Sequence, residues 1–276
     1  MNWFKLLRHD ARCGLLRWRY FVTLFLFAIP CFVFARILHQ VGIQGSWMDY
    51  MLYLFQGKEP IVKTSTADRV ALPMLWLLVT SGCLFINLDY LLKDLTNAGQ
   101  QIIIRSKSRT LWYLSKCFWN LGSCLLYFAA AGITCALFAW ATGAQLSAQN
   151  TAELSFMLFG FAISEPLTLA PAYAVLASWV IPFLTMLSLS MLQMTLCLYV
   201  KPIISFVICN SQLVLSLYLN SAYVLGNGAM TIRSGFASEN GISPTASMVL
   251  AIVVMIASVA AGCLRFRRTD ILSLEE

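Results

Sequence analysis

The chain has 276 residues, of which 59% are apolar and 11% are charged. Soluble proteins are about 45–50% apolar and about 25% charged, so a soluble domain of this length would lack the polar residues that its surface needs. The net charge is +7, yet the composition argues against nucleic-acid binding and against a cytosolic enzyme. It predicts an all-α polytopic membrane protein.

Residues 1–19 are predicted to form an amphipathic helix that lies in the inner membrane interface. Basic residues lie beside an apolar and aromatic face at helical spacing, which is typical of interfacial helices. Trp3, Arg8, Arg12 and Trp18 are the candidate anchors. The alternative is a simple anchoring flank of the first span. The apolar face consists of Trp3, Phe4, Leu7, Ala11, Gly14, Leu15 and Trp18, and the basic residues are Lys5, Arg8, Arg12 and Arg19.

Residues 20–276 are predicted to form one transmembrane domain of about six helices. In hydrocarbon only helices and closed barrels satisfy their own backbone hydrogen bonds, and a crossing helix needs about 20 residues. Pro30 and Pro182 are expected to kink the first and fourth spans. The predicted spans are residues 20–38, 72–92, 117–142, 172–200, 202–221 and 246–264.

Residues 154–163 are apolar, but Pro166 follows too soon for a full crossing. We interpret them as a short re-entrant or interfacial helix, with Glu165 as a candidate outer gate. Six spans with a cytoplasmic N-terminus place 14 basic residues inside and 5 outside, as the positive-inside rule requires. A seventh span would turn the C-terminal arginine cluster outward. Both termini are therefore expected to be cytoplasmic.

Two loops are predicted on the outer side, residues 39–71 and an irregular one near residues 222–245. Residues 47–55 could form a short helix on the membrane surface, ended by Gly57 and Pro60, and residues 222–245 are rich in Gly, Asn and Ser. Nine cysteines and two histidines show no metal-site or disulfide spacing. The cysteines are expected to be small buried apolar residues.

Few polar residues lie within the predicted spans, and no buried charge cluster is expected. Asp89 either pairs with Lys93 one helical turn later or is simply exposed at the interface, and both interpretations are favoured over proton coupling. Gln193, Asn210 and Gln212 are uncharged. They either line a pathway or form hydrogen bonds between packed helices.

The inner loop of residues 93–116 has the sequence KDLTNAGQQIIIRSKSRTLWYLSK. Asp94 is a candidate helix cap, and Trp112 and Tyr113 are expected in an aromatic belt at the interface. Two interpretations are open. The loop is basic simply because loops on the cytoplasmic side are basic, or it forms a short helix that docks into a soluble partner. In the second case Ile102–Ile104 would be the buried contact and Arg105 and Arg109 the charged contacts.

This layout resembles the membrane subunit of ATP-binding cassette (ABC) transporters of the type-two export class. An in-plane helix precedes the first span, and a long inner loop joins the second and third spans. Residues 99–120 and 49–60, GQQIIIRSKSRTLWYLSKCFWN and DYMLYLFQGKEP, are similar to stretches of small permeases of Gram-positive bacteria. The region before the last span departs from the class, because it lacks a strong pair of hydrophobic re-entrant helices.

The resemblance implies that the inner loop contains the coupling helix, which fits into a groove of a separate ATPase. The matching coupling residues are Gly99, Gln100, Gln101, Arg105, Ser108 and Arg109. The chain has no G-x-x-x-x-G-K-[ST] loop, so ATP and Mg would bind to the partner ATPase. The implied assembly contains two ATPases and a second permease, identical or paralogous, in membrane lipid.

The expected function is that of a non-catalytic permease subunit in a bacterial cytoplasmic membrane. Apolar spans favour an amphipathic or lipidic substrate, such as a peptide, over an ion or a sugar. A secondary transporter or channel would need ionisable residues at the midplane or an inverted repeat. An intramembrane enzyme would need a nucleophile with a base, or a metal with ligands. An immunity-type membrane protein that reuses a permease scaffold stays open.

Overall fold

The structure is a computed structural model, and it describes residues 3–15, 19–59, 72–95, 108–159, 166–237 and 241–268. Within these residues the chain folds into helices joined by loops, with two isolated bridges. Five helical segments are long and apolar enough to cross a membrane. A sixth apolar helix has 17 residues, the short end of the spanning range. The protein is an all-α polytopic membrane protein.

The helices follow the order of the predicted spans. The second span is interrupted at Asn87–Asp89, and the fourth contains the π-helical turn Leu176–Val180, close to Pro182. The helices are α1 (Trp3–Asp10), α2 (Arg19–Val41), α3 (Trp47–Phe55), α4 (Met74–Ile86), α5 (Tyr90–Asp94), α6 (Arg109–Ala141), α7 (Ser155–Phe159), α8 (Pro171–Val175), α9 (Ile181–Leu196), α10 (Pro202–Tyr218) and α11 (Pro244–Arg268).

The third span begins two turns earlier than the sequence predicts, at Arg109 rather than residue 117. Ser108 caps this helix, because its side chain accepts a hydrogen bond from the backbone N–H of Leu111. The resulting helix α6 has 33 residues. It packs against α1, α2, α3, α9 and α11 and therefore lies at the centre of the bundle.

The helix α3 has the predicted bounds but not the predicted location. Seven of its nine residues are buried, so the expectation of a helix on the membrane surface is wrong. The helix packs against α2, α4 and α6. Its sequence WMDYMLYLF is apolar on nearly all sides, and a helix of that kind is stable only when protein or lipid surrounds it.

Asp49 joins α3 to the loop that precedes α7. Its carboxylate accepts hydrogen bonds from the backbone N–H and hydroxyl of Ser46, at 2.8 and 3.0 Å, and from the Thr151 hydroxyl at 2.7 Å. Burial raises the pKa of Asp49 above its ordinary value, and these hydrogen bonds oppose the rise. The carboxylate is thus a buried link between two loops.

Arg233 makes a second buried link at the same end of the bundle. Its guanidinium donates to the carbonyl of Leu217 at 3.1 Å, to that of Ser216, and to Asn227 Oδ1 at 2.6 Å. The last carbonyls of α10 carry partial negative charge, which a cation stabilises. Burial lowers the pKa of Arg233 to about 10, so the side chain is still protonated at neutral pH.

The predicted re-entrant segment, residues 154–163, is described as far as Phe159. A 3-10 turn, Ala152–Leu154, leads into the short helix α7, and Leu154, Leu158 and Phe159 are buried in the core. Glu165 lies outside the described residues.

The described cysteines are unbonded thiols, mostly buried, which confirms their prediction as small core residues.

Candidate functional site at the basic end of the bundle

One end of the bundle, called the basic end here, carries most of the basic residues that the structure describes. Contacts between distant segments define it: Arg109 Nη1 donates to the Arg267 carbonyl at 3.4 Å, and Cys197 Sγ lies 3.7 Å from the Leu88 carbonyl. The basic residues at this end are Arg8, Arg12, Arg19, Lys93, Arg109, Lys116, Lys201, Arg265 and Arg267, whereas Arg36, Lys58 and Arg233 lie towards the opposite end.

The most unusual feature of the basic end is a buried ion cluster around Lys116. The Lys116 side chain is 1% exposed, and its ammonium lies 2.6 Å from Asp94 Oδ2. The same ammonium is paired with Asp10 Oδ1, to which the Tyr90 hydroxyl donates at 2.9 Å. The cluster therefore joins α1, α5 and α6. Two carboxylates and a lysine are thus buried together just outside the predicted spans, to which the expectation of no buried charge cluster applied.

His9 completes the cluster on its more accessible side. Its Nε2 lies 3.3 Å from Asp94 Oδ1, and its side chain is 27% exposed. Two carboxylates and one ammonium sum to −1, so a protonated His9 would make the cluster neutral. Asp10 Oδ2 is buried without a hydrogen-bond partner among the described residues.

Aromatic rings surround the ammonium of Lys116. It lies 4.9 Å from the ring centroids of both Tyr90 and Trp112, a distance at which a ring face attracts a cation. Trp112 stacks on Phe266 with centroids 5.0 Å apart. Trp112 and Tyr113 are fully buried, so their prediction as an interfacial aromatic belt is wrong. They contribute to the packing of α6 against α11.

The donor atoms of His9, Asp10 and Asp94 lie within 4.8 Å of one another, a spacing that a metal ion could use. Lys116 contacts both carboxylates in this group. An incoming metal ion would have to displace that buried ammonium. We therefore interpret Lys116 as the resident cation.

The N-terminal segment docks on the bundle through a face of which only Gly14 belongs to the predicted apolar face. Leu6, Asp10 and Gly14 are buried, whereas Ala11 is exposed. Residues at i, i+4 and i+8 lie on one helix face, and the acidic Asp10 lies in the middle of it. Arg8 and Arg12, two of the predicted membrane anchors, are exposed. Trp18 and the side chain of Trp3 lie outside the described residues.

The ion cluster lies at both ends of the predicted coupling loop. Asp94 ends α5 just before residues 96–107, and Lys116 lies in the second turn of α6 after them. Asp94 is thus a buried ion-pair partner rather than a helix cap. Of the predicted coupling residues, Ser108 caps α6 and Arg109 is half-buried against the end of α11. Gly99, Gln100, Gln101 and Arg105 lie outside the described residues.

A second ion pair at the basic end confirms the predicted partner of Asp89. Lys93 Nζ lies 2.5 Å from Asp89 Oδ2. Arg19, which the sequence did not assign to this pair, binds the same carboxylate through both terminal nitrogens, at 2.8 and 3.0 Å. Asp89 therefore joins the start of the first span to the break in the second.

The three candidate pathway residues have different surroundings. Gln193 is buried and donates to the Leu84 carbonyl at 3.1 Å. Asn210 accepts a hydrogen bond from Ser81 at 2.5 Å. Gln193 and Asn210 therefore contact α4 at positions one turn apart. Gln212 is half-buried on α10. Their role in a pathway stays a prediction.

Sequence reasoning missed a buried polar network between the first four spans. Asn87 Nδ2 donates to Ser190 at 2.9 Å, and Ser190 donates to Asn120 Oδ1 at 2.7 Å. Ser123 donates to Asn87 Oδ1 and lies 2.6 Å from the Tyr20 hydroxyl. Asn120 and Ser123 lie three residues apart in an apolar run. That spacing indicates one polar face of the helix and could have predicted the network.

Comparison with known proteins gives one match. The family DUF2705, described as "Protein of unknown function (DUF2705)", matches residues 24–272. No curated protein and no solved structure matches the chain. The match begins within the first span and ends after the last helix. Because it covers far more than half of the sequence, the chain belongs to the DUF2705 family.

Proposed function

We propose that the chain is the transmembrane permease subunit of an ATP-driven ABC exporter of the type-two class. It moves an amphipathic or lipidic substrate, such as a peptide, across a bacterial cytoplasmic membrane. A separate ATPase supplies the energy by docking on the loop between the second and third spans. The resemblance of layout and motifs motivates this proposal. The observation that carries it is the ion pair between Asp94 and Lys116.

This ion pair holds the two sides of the loop together. Asp94 and Lys116 lie on the two sides of residues 96–107, so a force applied to the loop acts on α5 and α6 together. Asp10 extends the connection to α1. Movements of rigid helices around a fixed contact are a common way in which nucleotide-driven closure reaches a transport pathway. In this proposal the cluster transmits docking to three elements at once.

The distribution of charge supports a cytoplasmic location for this loop. Of the basic residues whose side chains the structure describes, nine lie at the basic end and three towards the opposite end. Loops rich in Lys and Arg stay in the cytoplasm during insertion. An ATPase in the cytoplasm would then meet the loop directly.

The test is co-expression with the ATPase of a neighbouring gene, followed by co-purification and measurement of ATP turnover. The double reversal Arg105→Glu/Arg109→Glu is expected to reduce co-purification, because it places negative charge where the proposal has basic contacts. The matched control is Arg36→Glu/Lys58→Glu, two reversals at the opposite end that should leave the complex intact. If the first variant leaves both complex and turnover unchanged, the docking assignment is wrong.

A secondary transporter is the second candidate, since one observation favours it. The cluster of His9, Asp10, Asp94 and Lys116 contains buried ionisable groups with an excess of negative charge. Such groups often belong to proton relays. The cluster lies at one end of the bundle rather than at mid-depth, which favours the permease. Substrate movement in proteoliposomes containing this chain alone, without nucleotide, would decide for the second candidate.

A further inference from the structure

A groove of about 440 Å³ opens on the surface of the bundle between α2, α4 and α10. Its walls are mainly apolar. Val22, Leu78 and Phe85 are partly exposed, so the groove is open to the surroundings of the bundle. Phe206 of α10 closes one side against Phe85.

The length of the groove corresponds to one membrane leaflet. It extends along α4 from Met74 to Phe85, a helical distance of about 16 Å. The hydrocarbon core of a bilayer is about 30 Å thick, so one leaflet contributes about half of that. Both hydroxyls on the wall bond within the protein, Ser81 to Asn210 and Thr23 to the Tyr20 carbonyl. The wall therefore suits a hydrocarbon chain.

Positive charge is concentrated where the groove meets the basic end. Arg19 lines the groove there, and its guanidinium lies 5.0 Å from the centroid of the Phe85 ring. Arg19 and Lys93 share the single carboxylate of Asp89, so the three groups carry a net charge of +1. The Lys93 side chain is 57% exposed and can approach a ligand above the groove.

We propose that this groove binds one acyl chain of an anionic phospholipid, whose headgroup phosphate lies against Arg19 and Lys93. The apolar wall accounts for the chain, and the surplus positive charge accounts for an anionic rather than a zwitterionic headgroup. Membrane proteins recognise anionic lipids in this way through basic residues at the cytoplasmic interface. The inference is independent of the ATPase, and it would hold for a secondary transporter as well.

The test is native mass spectrometry of the full chain, released from detergent after titration with phosphatidylglycerol or phosphatidylcholine. Phosphatidylglycerol is expected to bind more tightly. Lys93→Gln should reduce its affinity about fivefold, the effect of one basic residue near the surface, and should leave phosphatidylcholine unchanged. Lys201→Gln, which removes an exposed lysine at the same end outside the groove, is the matched control. Equal binding of the two lipids, or no effect of Lys93→Gln, would overturn the proposal.

A second pair of variants tests the groove itself. Val22→Trp places an indole in the groove and should abolish the tightly bound lipid. Val253→Trp makes the same change at an exposed position of α11 away from it. Leu78→Trp serves the same purpose if Val22→Trp does not fold. Lipid binding that survives both groove variants contradicts the site. A groove variant that changes the oligomeric state instead of lipid binding would assign the groove to a second copy of the chain.

Discussion

Lys116 shows how a charged side chain can be buried in an apolar bundle. Transfer of an isolated ammonium from water costs several kcal/mol even after relaxation. In this protein the ammonium contacts Asp10 and Asp94 and lies beside two aromatic rings. Each carboxylate in turn depends on the same lysine. The three charges are therefore stable together and costly apart.

Replacement of Lys116 is the first prediction. Lys116→Met leaves two carboxylates buried side by side, and we expect it to lower the free energy of unfolding by about 3–5 kcal/mol. The triple variant Asp10→Asn/Asp94→Asn/Lys116→Met removes all three charges and should recover much of that loss. Thermal unfolding of the purified protein in detergent measures both.

The control for this prediction is Lys201→Met. Lys201 is exposed at the same end of the bundle, so its replacement should change stability by less than about 0.5 kcal/mol. If Lys116→Met unfolds at the temperature of the wild type, or if the triple variant is less stable than the single one, the charges do not form an interdependent cluster.

Asp49 carries the second prediction. Asp49→Asn replaces a carboxylate oxygen that accepts from Ser46 and Thr151 with an amide that donates, which should cost about 1–3 kcal/mol at pH 7. The pKa of Asp49 is raised in the folded state. Its contribution to stability is therefore complete below the ordinary value of 3.8 and decreases as the pH rises through the raised value.

The stability difference between wild type and Asp49→Asn should consequently be larger at pH 4 than at pH 7. Unfolding temperatures of the two proteins at both pH values test this, and Asp89→Asn serves as a comparison at a less buried carboxylate. A difference that shrinks on acidification would show that burial does not dominate the environment of Asp49.

The sequence predicted ion pairs at the residue scale only where helix periodicity fixes the distance. Lys93 follows Asp89 by four residues, and that pair forms. Asp94 and Lys116 are separated by the loop between the second and third spans, so their spacing in sequence contains no distance information. Asp10 lies on a short helix that was interpreted from its basic and apolar residues alone, so no partner was assigned to this carboxylate. The tertiary approach of α1 and α5 to α6 decides the contacts of Lys116 with Asp10 and Asp94.

The element scale is best illustrated by the approach of the N-terminal segment to α6. Gly14 lies in the π-helical turn Ala11–Leu15, directly against the indole of Trp119. A Cβ atom at this position would overlap the ring nitrogen and its neighbours. The absence of a side chain at Gly14 thus permits the close approach that brings Asp10 to Lys116.

The third prediction follows from that approach. Gly14→Ala should displace the N-terminal segment from α6 and weaken the ion cluster, with a loss of stability of about 1–3 kcal/mol. Gly122→Ala, in the same bundle but with open space around a new Cβ, should be neutral or slightly stabilising, because alanine favours the helix. Unfolding temperature and protease sensitivity of the N-terminus measure the effect. Equal stability of both variants would contradict the docking of the N-terminal segment.

Hydropathy predicted the spans well, because length and apolar character determine which segments can cross a membrane. Hydropathy did not predict the features that depend on side-chain packing and capping. The early start of α6 at Arg109 depends on the Ser108 cap, and the break of the second span lies at Asn87, whose side chain is bonded to Ser190. The sequence of α3 is apolar on nearly all sides and indicated that the helix is buried. The prediction of a helix on the membrane surface relied instead on its short length.

At the scale of the whole molecule, the two ends differ in charge and in construction. The basic end contains ion pairs, one of which joins the two sides of the loop between the second and third spans. The opposite end contains α3, Asp49 and Arg233, whose hydrogen bonds hold the loops together. A permease needs one end that receives force from an ATPase and one that opens to the other side. This asymmetry fits that division, provided that the basic end is cytoplasmic.

The last prediction tests this orientation. Single cysteines are introduced at Lys201, exposed at the basic end, and at Tyr223, exposed at the opposite end, and labelled in intact cells. The positive-inside rule predicts that Tyr223→Cys reacts with a membrane-impermeant maleimide, and that Lys201→Cys reacts only with a permeant one. The unsubstituted chain, whose described cysteines are mostly buried, gives the background. The reverse pattern would place the inner loop outside the cell, where no cytoplasmic ATPase could reach it, and would remove the basis of the proposed function.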